Sequence, residues 1–223
     1  MVKVLIAARS TRLKIECIPC LVDDLKGAIL ETVPEAELQH AFMAEGLAWL
    51  AGNLSFERIP SYYITELHRL LKERSGIRTP FKERRDACNR VGMELAARLE
   101  QKASQITDPQ EKLAFLARWC VAGNHLDFRT VGTGYGFSIN AIESMLQQVV
   151  DQGLAVDDTG ALGKICRQAK TILYLCDNVG EIALDHLLIR ELKNYGCQIT
   201  AAVKGGPITS DATMEDAIVV GLS

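Results

Sequence analysis

Residues 171–181 read T-I-L-Y-L-C-D-N-V-G-E, and this stretch decides the fold because a short apolar run ends there in polar residues and a glycine. The apolar run, residues 172–176, is typical of a strand that is buried on both faces of a parallel sheet. Apolar residues then recur at helical spacing over residues 182–192, and a second apolar run follows at residues 199–203. This order predicts a strand, a helix and a second parallel strand, joined by a right-handed crossover.

Each predicted strand ends in an acidic segment. Asp177 and Asn178 come directly after the first strand, and Asp211 follows the second strand after a loop. Open α/β sheets bind ligands beyond the carboxyl ends of their strands, so we expect the three side chains to converge in one crevice. Two carboxylates and an amide oxygen form a hard-oxygen set suited to Mg²⁺ or Mn²⁺. The pattern indicates a divalent-metal site.

The same stretch can also be interpreted as an ordinary helix start. Asn178 would then cap the helix, and Glu181, three residues on, would complete a capping box without any chemistry. The second acidic tip, Asp211, favours the metal interpretation, because Lys204 and the glycines of its loop could hold an oxyanion. Spacing alone puts the metal interpretation only moderately ahead.

Composition and charge are those of an ordinary globular chain. Of its 223 residues, 48% are hydrophobic and 24% are charged, with a formal net charge of −3 and a pI of about 5.9. We therefore expect neither nucleic-acid binding nor a polybasic membrane patch. The apolar run within residues 1–8 is too short for a signal peptide, and no stretch approaches a membrane span. Seven scattered cysteines then indicate reduced thiols in a cytoplasmic protein.

The N-terminal half has a helical pattern. Apolar residues repeat at helical spacing from about residue 22 to residue 120, and glycine and proline pairs divide this region into four or five helices. A helical bundle that serves as a scaffold or lid is expected. We predict an extension over residues 1–13, a helical subdomain over 14–121 and an α/β metal-binding domain over 122–223.

Cys17 and Cys20 form a C-x-x-C pair near the start of this region. A single pair has too few thiolates for a structural zinc site, and helices rather than a βαβ unit surround it. Buried free thiols and a redox or metal role are about equally well supported.

Two glycine-containing segments follow the helical region. Gly123 is interpreted as the glycine just past a helix end, and His125 by itself is no evidence of catalysis. Residues 132–137 imitate a nucleotide-binding loop but lack its third glycine, where Phe137 stands. We interpret them as a loop before a helix over residues 138–151.

Four separated motifs resemble, in the same order, those of the damage-control phosphatase family, long catalogued as domain of unknown function eighty-nine. The resemblance is closest to its prokaryotic branch with an N-terminal C-x-x-C and runs from about Lys14 to the last residue. The motifs are Cys17-x-x-Cys20, Gly123-Asn124-x-x-Asp127-Phe128, Asp177-Asn178-x-Gly180-Glu181-x-x-x-Asp185, and Lys204-x-x-Pro207-x-x-Ser210-Asp211-x-Thr213-x-x-Asp216.

The resemblance implies a fold and an activity. The fold would be a helical N-terminal part packed on a three-layer α/β/α, Rossmann-like domain. The activity would be hydrolysis of phosphate monoesters, typically sugar phosphates or damaged phosphometabolites, with a divalent metal (Mn²⁺, Mg²⁺, Co²⁺ or Ni²⁺) held by Asp177, Asn178 and Asp211. Asn124 and Asp127 match a further motif, and we expect them to touch substrate or support the metal.

The sequence departs from the family pattern in three places. Ser210 stands where Asn is usual, and Thr79-Pro80-Phe81 stands where Asp-Pro-Tyr is usual. Family members also continue past the position of Ser223, with further strands and a phosphate-binding lysine, so the α/β domain is expected to be incomplete at its C-terminus. A sheet of two strands leaves exposed edges, which self-association into a homo-oligomer could cover.

The expected mechanism uses a metal-activated water that attacks the phosphorus of a small phosphorylated metabolite. Lys204 and the amides of Gly205 and Gly206 would stabilise the charge on the phosphoryl oxygens, and Glu181 or Asp216 would orient the water. Two alternatives remain open. One is a catalytically weak or inactive metal-binding or interaction protein, because the C-terminal lysine is missing; the other is a thiol redox protein that uses the C-x-x-C pair.

Overall fold

A computed structural model of the chain describes residues 12–127 and 139–222, and of Ile139 only the backbone. The chain divides into two compact units, Met1–Phe81 and Lys82–Ser223. Within the described residues, no helix is both long enough and apolar enough to cross a membrane. Most of the described chain is helical, and a small parallel sheet lies in the second unit.

The first unit, from residue 12 onward, is a bundle of three helices. A short 3₁₀ turn, Ile15–Cys17, leads into α1 (Ile18–Thr32), which is followed by α2 (Ala36–Asn53) and α3 (Pro60–Ser75). Pro60 begins α3, where a missing N–H costs nothing, and Gly76 ends it with φ +72°. Part of the apolar interior is formed by Leu13, Leu21, Leu50 and Tyr63.

A buried polar pair joins two helices of the first unit. His68 Nε2 of α3 lies 2.8 Å from Asp24 Oδ2 of α1, and both residues are almost fully buried. Phe81, in the segment that departs from the Asp-Pro-Tyr pattern, is also buried, with its ring centroid 6.0 Å from that of His68. Phe81, which stands where the family pattern usually has tyrosine, therefore places a ring without a hydroxyl beside the pair of Asp24 and His68.

The second unit begins with a long helical region. Its helices are α4 (Lys82–Ser104), α5 (Pro109–Gly123), α6 (Ile139–Gln152) and α7 (Thr159–Gln168), and the 3₁₀ turn Asn124–Leu126 continues α5. Asp108 caps α5 by accepting a hydrogen bond from the backbone N–H of Glu111.

The predicted strand, helix and strand follow α7. Strand β1 (Thr171–Leu175) leads to α8 (Glu181–Lys193) and then to β2 (Gln198–Ala202), and α9 (Met214–Val219) comes last. The two strands are parallel neighbours, with Thr171 opposite Gln198, and they are the two strands of the sheet in the described part of the chain. The α/β fold class and the βαβ unit are confirmed.

The two faces of this sheet differ. Ile172 and Tyr174 pack into the apolar core formed largely by α4, α5 and α8. Leu173 and Leu175, on the opposite face, are 65% and 72% exposed. The prediction that β1 is buried on both faces is wrong, because the described residues place a helical layer against one face only.

The units divide the chain differently from the predicted boundary at residues 121 and 122. Helices α4 and α5 both pack against α8, so they belong with the sheet rather than with α1 to α3. The physical reason is the continuous apolar core that these helices share with the strands. Sequence periodicity identifies helices, but it does not say which core each helix joins.

Gly123 lies inside a helix rather than beyond its end. Gly123 is the last residue of α5, with right-handed φ and ψ, so the prediction of a glycine beyond the helix end is wrong. A Cβ there would lie 2.8 Å from Leu184 Cδ1, which shows that a close approach of α5 and α8 requires the glycine.

The helix predicted over residues 138–151 is α6. The extension predicted over residues 1–13 lies outside the described residues as far as residue 11, and so does the loop predicted over residues 132–137.

All seven cysteines are free thiols. Five are buried, but Cys17 is half-buried and Cys20, near the start of α1, is exposed. The interpretation of the C-x-x-C pair as two buried thiols is therefore wrong for Cys20.

Candidate active site

Backbone hydrogen bonds bring the two acidic tips together. The N–H of Val179 donates to the carbonyl of Ser210 at 2.8 Å, and the N–H of Ala212 donates to the carbonyl of Asp177 at 2.7 Å. Between them, Asn178 and Asp211 form an isolated antiparallel bridge. The segments that follow β1 and β2 are thus neighbours, as the parallel topology predicts.

The turn between β1 and α8 depends on glycine. Gly180 has φ +80°, and a Cβ on Gly92 of α4 would come within 2.2 Å of its carbonyl oxygen. The Asn89 side-chain oxygen accepts a hydrogen bond from the Gly180 N–H at 3.0 Å. Two glycines therefore allow α4 to pack directly against the turn that carries Asp177 and Asn178.

Helix α8 starts without the capping box that the sequence allowed. Gly180 is its N-cap residue and Glu181 its first helical residue, so Asn178 does not cap it. The capping box of this region belongs to α9, where Thr213 and Asp216 exchange hydrogen bonds. The helix-start interpretation of Asn178 and Glu181 is wrong, which leaves both side chains for another role.

The Asn178 amide is the centre of the polar cluster. Its Nδ2 donates to Asn124 Oδ1 at 2.8 Å, to Glu181 Oε2 at 3.2 Å and to Asp177 Oδ2 at 3.3 Å. Its Oδ1 accepts a hydrogen bond from the Ser210 hydroxyl at 3.0 Å. Ser210 is buried and was not singled out as a site residue; its position directly before Asp211 is the signal that could have found it.

Lys204 lies beside the first acidic tip. Its Nζ is 3.2 Å from Asp177 Oδ1, and both side chains are about half exposed. Burial lowers the pKa of Lys204, but the hydrogen bond to Asp177 and the charge of Asp211 outweigh this effect and raise it. Gly205 and Gly206 follow on the loop, where nothing crowds their backbone. The ammonium group is thus held near the carboxylates and remains accessible.

Several carboxylates share this region. Burial raises the pKa of Asp211, and the charges of Asp177 and Asp127 raise it further, whereas Lys204 and Arg85 act in the opposite direction. Asp127 follows the 3₁₀ turn that carries Asn124. Predicted residues from all three C-terminal motifs therefore lie close enough for the charges of Asp127 and Asp177 to act on Asp211.

Glu181 and Asp185 lie one turn apart on α8 and have raised pKa values. Burial, with the charge of Asp185, raises the pKa of Glu181 to about 7. Burial raises the pKa of Asp185 to about 6, although Tyr174 donates a hydrogen bond to its Oδ1 at 2.6 Å. Asp185 Oδ2 is buried without a hydrogen-bond partner. Perturbed pKa values of this kind are typical of functional sites.

Asp216 is not available to orient a water molecule. It is 6% exposed, and its carboxylate accepts hydrogen bonds from Arg85, Asn89 and Thr213. The prediction that Asp216 orients the water is therefore wrong, because its hydrogen bonds are those of a structural carboxylate.

A divalent cation fits this donor set in its chemistry. Within residues 12–127 and 140–222, no three His, Cys, Asp or Glu side chains are grouped as metal ligands, so the predicted set relies on the Asn178 amide oxygen beside the two carboxylates. That oxygen has a second lone pair beyond the one that Ser210 uses. The mutual repulsion of Asp177, Asp127 and Asp211 is the kind that a bound cation relieves.

Comparisons with known proteins identify the family of the chain. A family model described as the damage-control phosphatase ARMT1-like domain matches residues 13–221. An uncharacterized protein, MJ0202, of Methanocaldococcus jannaschii is 30% identical over 93% of this chain and 67% of its own length. A damage-control phosphatase of Archaeoglobus fulgidus is 28% identical over 90% of this chain and 67% of its own length.

A solved structure is also similar. The crystal structure of the DUF89 family protein PH1575 of Pyrococcus horikoshii, called a damage-control phosphatase, matches with a TM-score of 0.79 and 26% identity. The match covers 95% of this chain and 70% of that one. The chain belongs to the damage-control phosphatase family, through its ARMT1-like domain.

Proposed function

We propose that this chain is a divalent-metal-dependent phosphatase that hydrolyses small phosphate monoesters, such as sugar phosphates or damaged phosphometabolites. The observation that carries the proposal is the convergence of Asp177, Asn178 and Asp211 with Lys204 beyond the carboxyl ends of two parallel strands. Two relatives named damage-control phosphatases support the reaction class.

Asp177, Asn178 and Asp211 would hold the metal. Two carboxylates balance its charge, and the neutral amide adds a ligand without adding repulsion toward an anionic substrate. When bound, a divalent cation neutralises charge on a phosphoryl group and lowers the pKa of a coordinated water. Asn124 and Ser210 orient the Asn178 amide through its nitrogen and its oxygen, respectively.

The positive groups of the site would bind the phosphoryl oxygens. Lys204 supplies an accessible ammonium, and Gly205 and Gly206 supply backbone N–H groups on an uncrowded loop. The N-terminus of α8 at Gly180 adds the positive end of a helix dipole. Together they would stabilise the charge of an in-line displacement.

Glu181 would orient the attacking water. Its carboxylate lies 3.2 Å from the Asn178 Nδ2, on the side of the amide that faces Asp177. Asp127 contributes negative charge near Asp211, and we propose that it supports either the metal or a substrate hydroxyl.

The test is phosphate release from a panel of sugar phosphates with Mn²⁺, Mg²⁺, Co²⁺ or Ni²⁺, and with a chelator. We expect turnover that requires a metal, and we expect Asp177→Ala to lower kcat/KM by at least about a hundredfold, since even groups behind a metal ligand cost about 10- to 100-fold. Asp158→Ala, an exposed change at the start of α7, is the matched control and should leave turnover unchanged.

Direct Mn²⁺ binding separates the alternatives. Metal binding without turnover on any substrate would support the non-catalytic metal-binding protein instead. Turnover and metal binding that survive Asp177→Ala would contradict the assignment of the site.

A further inference from the structure

A buried polar pair on α4 contacts both segments that carry the proposed ligands. Arg85 and Asn89 lie one turn apart, and each is only 2% exposed. A buried guanidinium is costly unless its charge is paired and its N–H groups are hydrogen-bonded, so the partners of this pair show what its burial achieves.

On the Asp211 side, the pair holds the chain both before and after the acidic residue. Arg85 Nη1 donates to the carbonyl of Thr209 at 2.9 Å, and Nη2 donates to Asp216 Oδ2 at 2.6 Å. Asn89 Nδ2 donates to Asp216 Oδ1 at 2.8 Å. Thr209 has φ +48°, a left-handed conformation that persists only where surrounding contacts hold it.

On the Asn178 side, the same pair holds the glycine turn. Asn89 Oδ1 accepts the N–H of Gly180 at 3.0 Å, two residues after Asn178. Asn89 thus uses its amide oxygen on one ligand-bearing segment and its amide nitrogen on the other. A single rigid helix is bonded to both segments.

We propose that Arg85 and Asn89 are positioning residues, which fix the spacing of the Asn178 segment relative to the Asp211 segment. The consequence for metal binding rests on the proposed function, whereas the effect on the backbone does not. Groups that orient metal ligands change metal affinity or activity by about 10- to 100-fold when they are removed.

The test compares Asn89→Ala with Leu99→Ala by the Mn²⁺ concentration that gives half-maximal turnover and by direct Mn²⁺ binding. Asn89→Ala should raise both by about ten- to a hundredfold. Leu99→Ala empties a fully buried core position ten residues further along the same helix and removes no hydrogen bond to either segment, so it should lower stability and leave both constants unchanged.

A second variant covers the case in which Asn89→Ala does not fold. Arg85→Lys keeps the positive charge but cannot donate to both Thr209 and Asp216 with the same planar geometry. We expect it to weaken Mn²⁺ binding in the same range, with less loss of stability than a neutral replacement would cause.

Amide hydrogen exchange supplies a readout that needs neither metal nor substrate. The N–H groups of Val179 and Ala212 bridge the two segments, and Asn89→Ala should accelerate their exchange at least about tenfold more than Leu99→Ala does at equal loss of global stability. Unchanged exchange and unchanged Mn²⁺ constants in Asn89→Ala would overturn the inference.

The two proposals fail in distinguishable ways. A wild-type chain without metal binding or turnover would overturn the proposed function, and the exchange rates would then decide the positioning role alone. A wild-type chain that is active, with variants that match it in exchange and metal affinity, would overturn only the positioning role.

Discussion

Two buried carboxylates of the second unit have opposite environments. Asp216 is buried, but hydrogen bonds from Thr213 and the charge of Arg85 outweigh the effect of burial and lower its pKa. Asp185 is buried with the Tyr174 hydroxyl and the weak thiol donor of Cys120 as its hydrogen-bond donors, and burial raises its pKa to about 6. Burial alone does not determine whether a carboxylate is ionised. Hydrogen-bond donors and nearby positive charge decide whether its pKa ends above or below the ordinary value.

Asp216 is a structural carboxylate, whereas Asp185 is a carboxylate with a raised pKa. A carboxylate with several donors, such as Asp216, stabilises the fold in its charged form. A buried carboxylate with few donors and no cationic partner among them, such as Asp185, is costly to ionise and changes charge close to neutral pH, where proton transfer is useful. Asp185 belongs to the motif that contains Asp177 and Asn178, and Glu181 shares its raised pKa.

Removing the structural carboxylate should have the largest effect. Asp216→Ala leaves the Arg85 guanidinium buried without its charge partner, and we expect the free energy of unfolding to fall by about 3 to 5 kcal/mol. Urea unfolding at neutral pH measures it. Glu215→Ala, an exposed change at the neighbouring position, is the control and should stay within about 0.5 kcal/mol of the wild type. An equal, small loss in both variants would mean that Asp216 is not the structural member of the comparison.

The perturbed carboxylate should give a pH dependence of the opposite sign. Because the pKa of Asp185 is raised in the folded chain, from 3.8 to about 6, the folded state binds more protons than the unfolded state between these values. Stability should therefore fall as pH rises through this window, by on the order of 2 to 3 kcal/mol for Asp185. Glu181 acts in the same direction up to about pH 7.

Asp185→Asn tests whether Asp185 causes this fall of stability with rising pH. The variant should flatten the dependence of the unfolding free energy on pH by about 2 kcal/mol between about pH 4 and about pH 7. Asp158→Asn, at an exposed position, should leave the curve as it is in the wild type. A curve that stays equally steep in Asp185→Asn would show that another group produces it.

Much of this arrangement was predictable from the sequence. Apolar runs that end in Asp177 and precede Asp211 identify parallel strands whose tips converge, since the carboxyl ends of parallel strands share one edge of the sheet. The four motifs then identified the family. The first prediction depends on local patterns and on topology, which a single sequence contains, whereas the second depends on the resemblance of the motifs to those of a known family.

The buried network was not predictable in the same way. Arg85 and Asn89 look like ordinary polar residues of an exposed helix, because nothing in their spacing shows that they point into the interior. The motif of Asp216 predicts a residue near the reacting water, because it shows the proximity of Asp216 to the site but not its hydrogen-bond partners. The exposed face of β1 was missed for a similar reason, since an apolar run does not reveal how many helical layers cover it.

The smallest predicted effect tests the hydrogen bond that Tyr174 donates to Asp185 Oδ1. Tyr174→Phe removes this donor and should lower the unfolding free energy by about 1 to 2 kcal/mol near pH 7, where the bond is charge-assisted in the wild type. In the Asp185→Asn background the acceptor is neutral, so the same change should cost only about 0.5 to 1 kcal/mol. A double-mutant cycle by urea unfolding measures the difference. An equal cost in both backgrounds would mean that Asp185 is uncharged at neutral pH, and the charge difference from Asp216 would then extend to neutral pH instead of ending near pH 6.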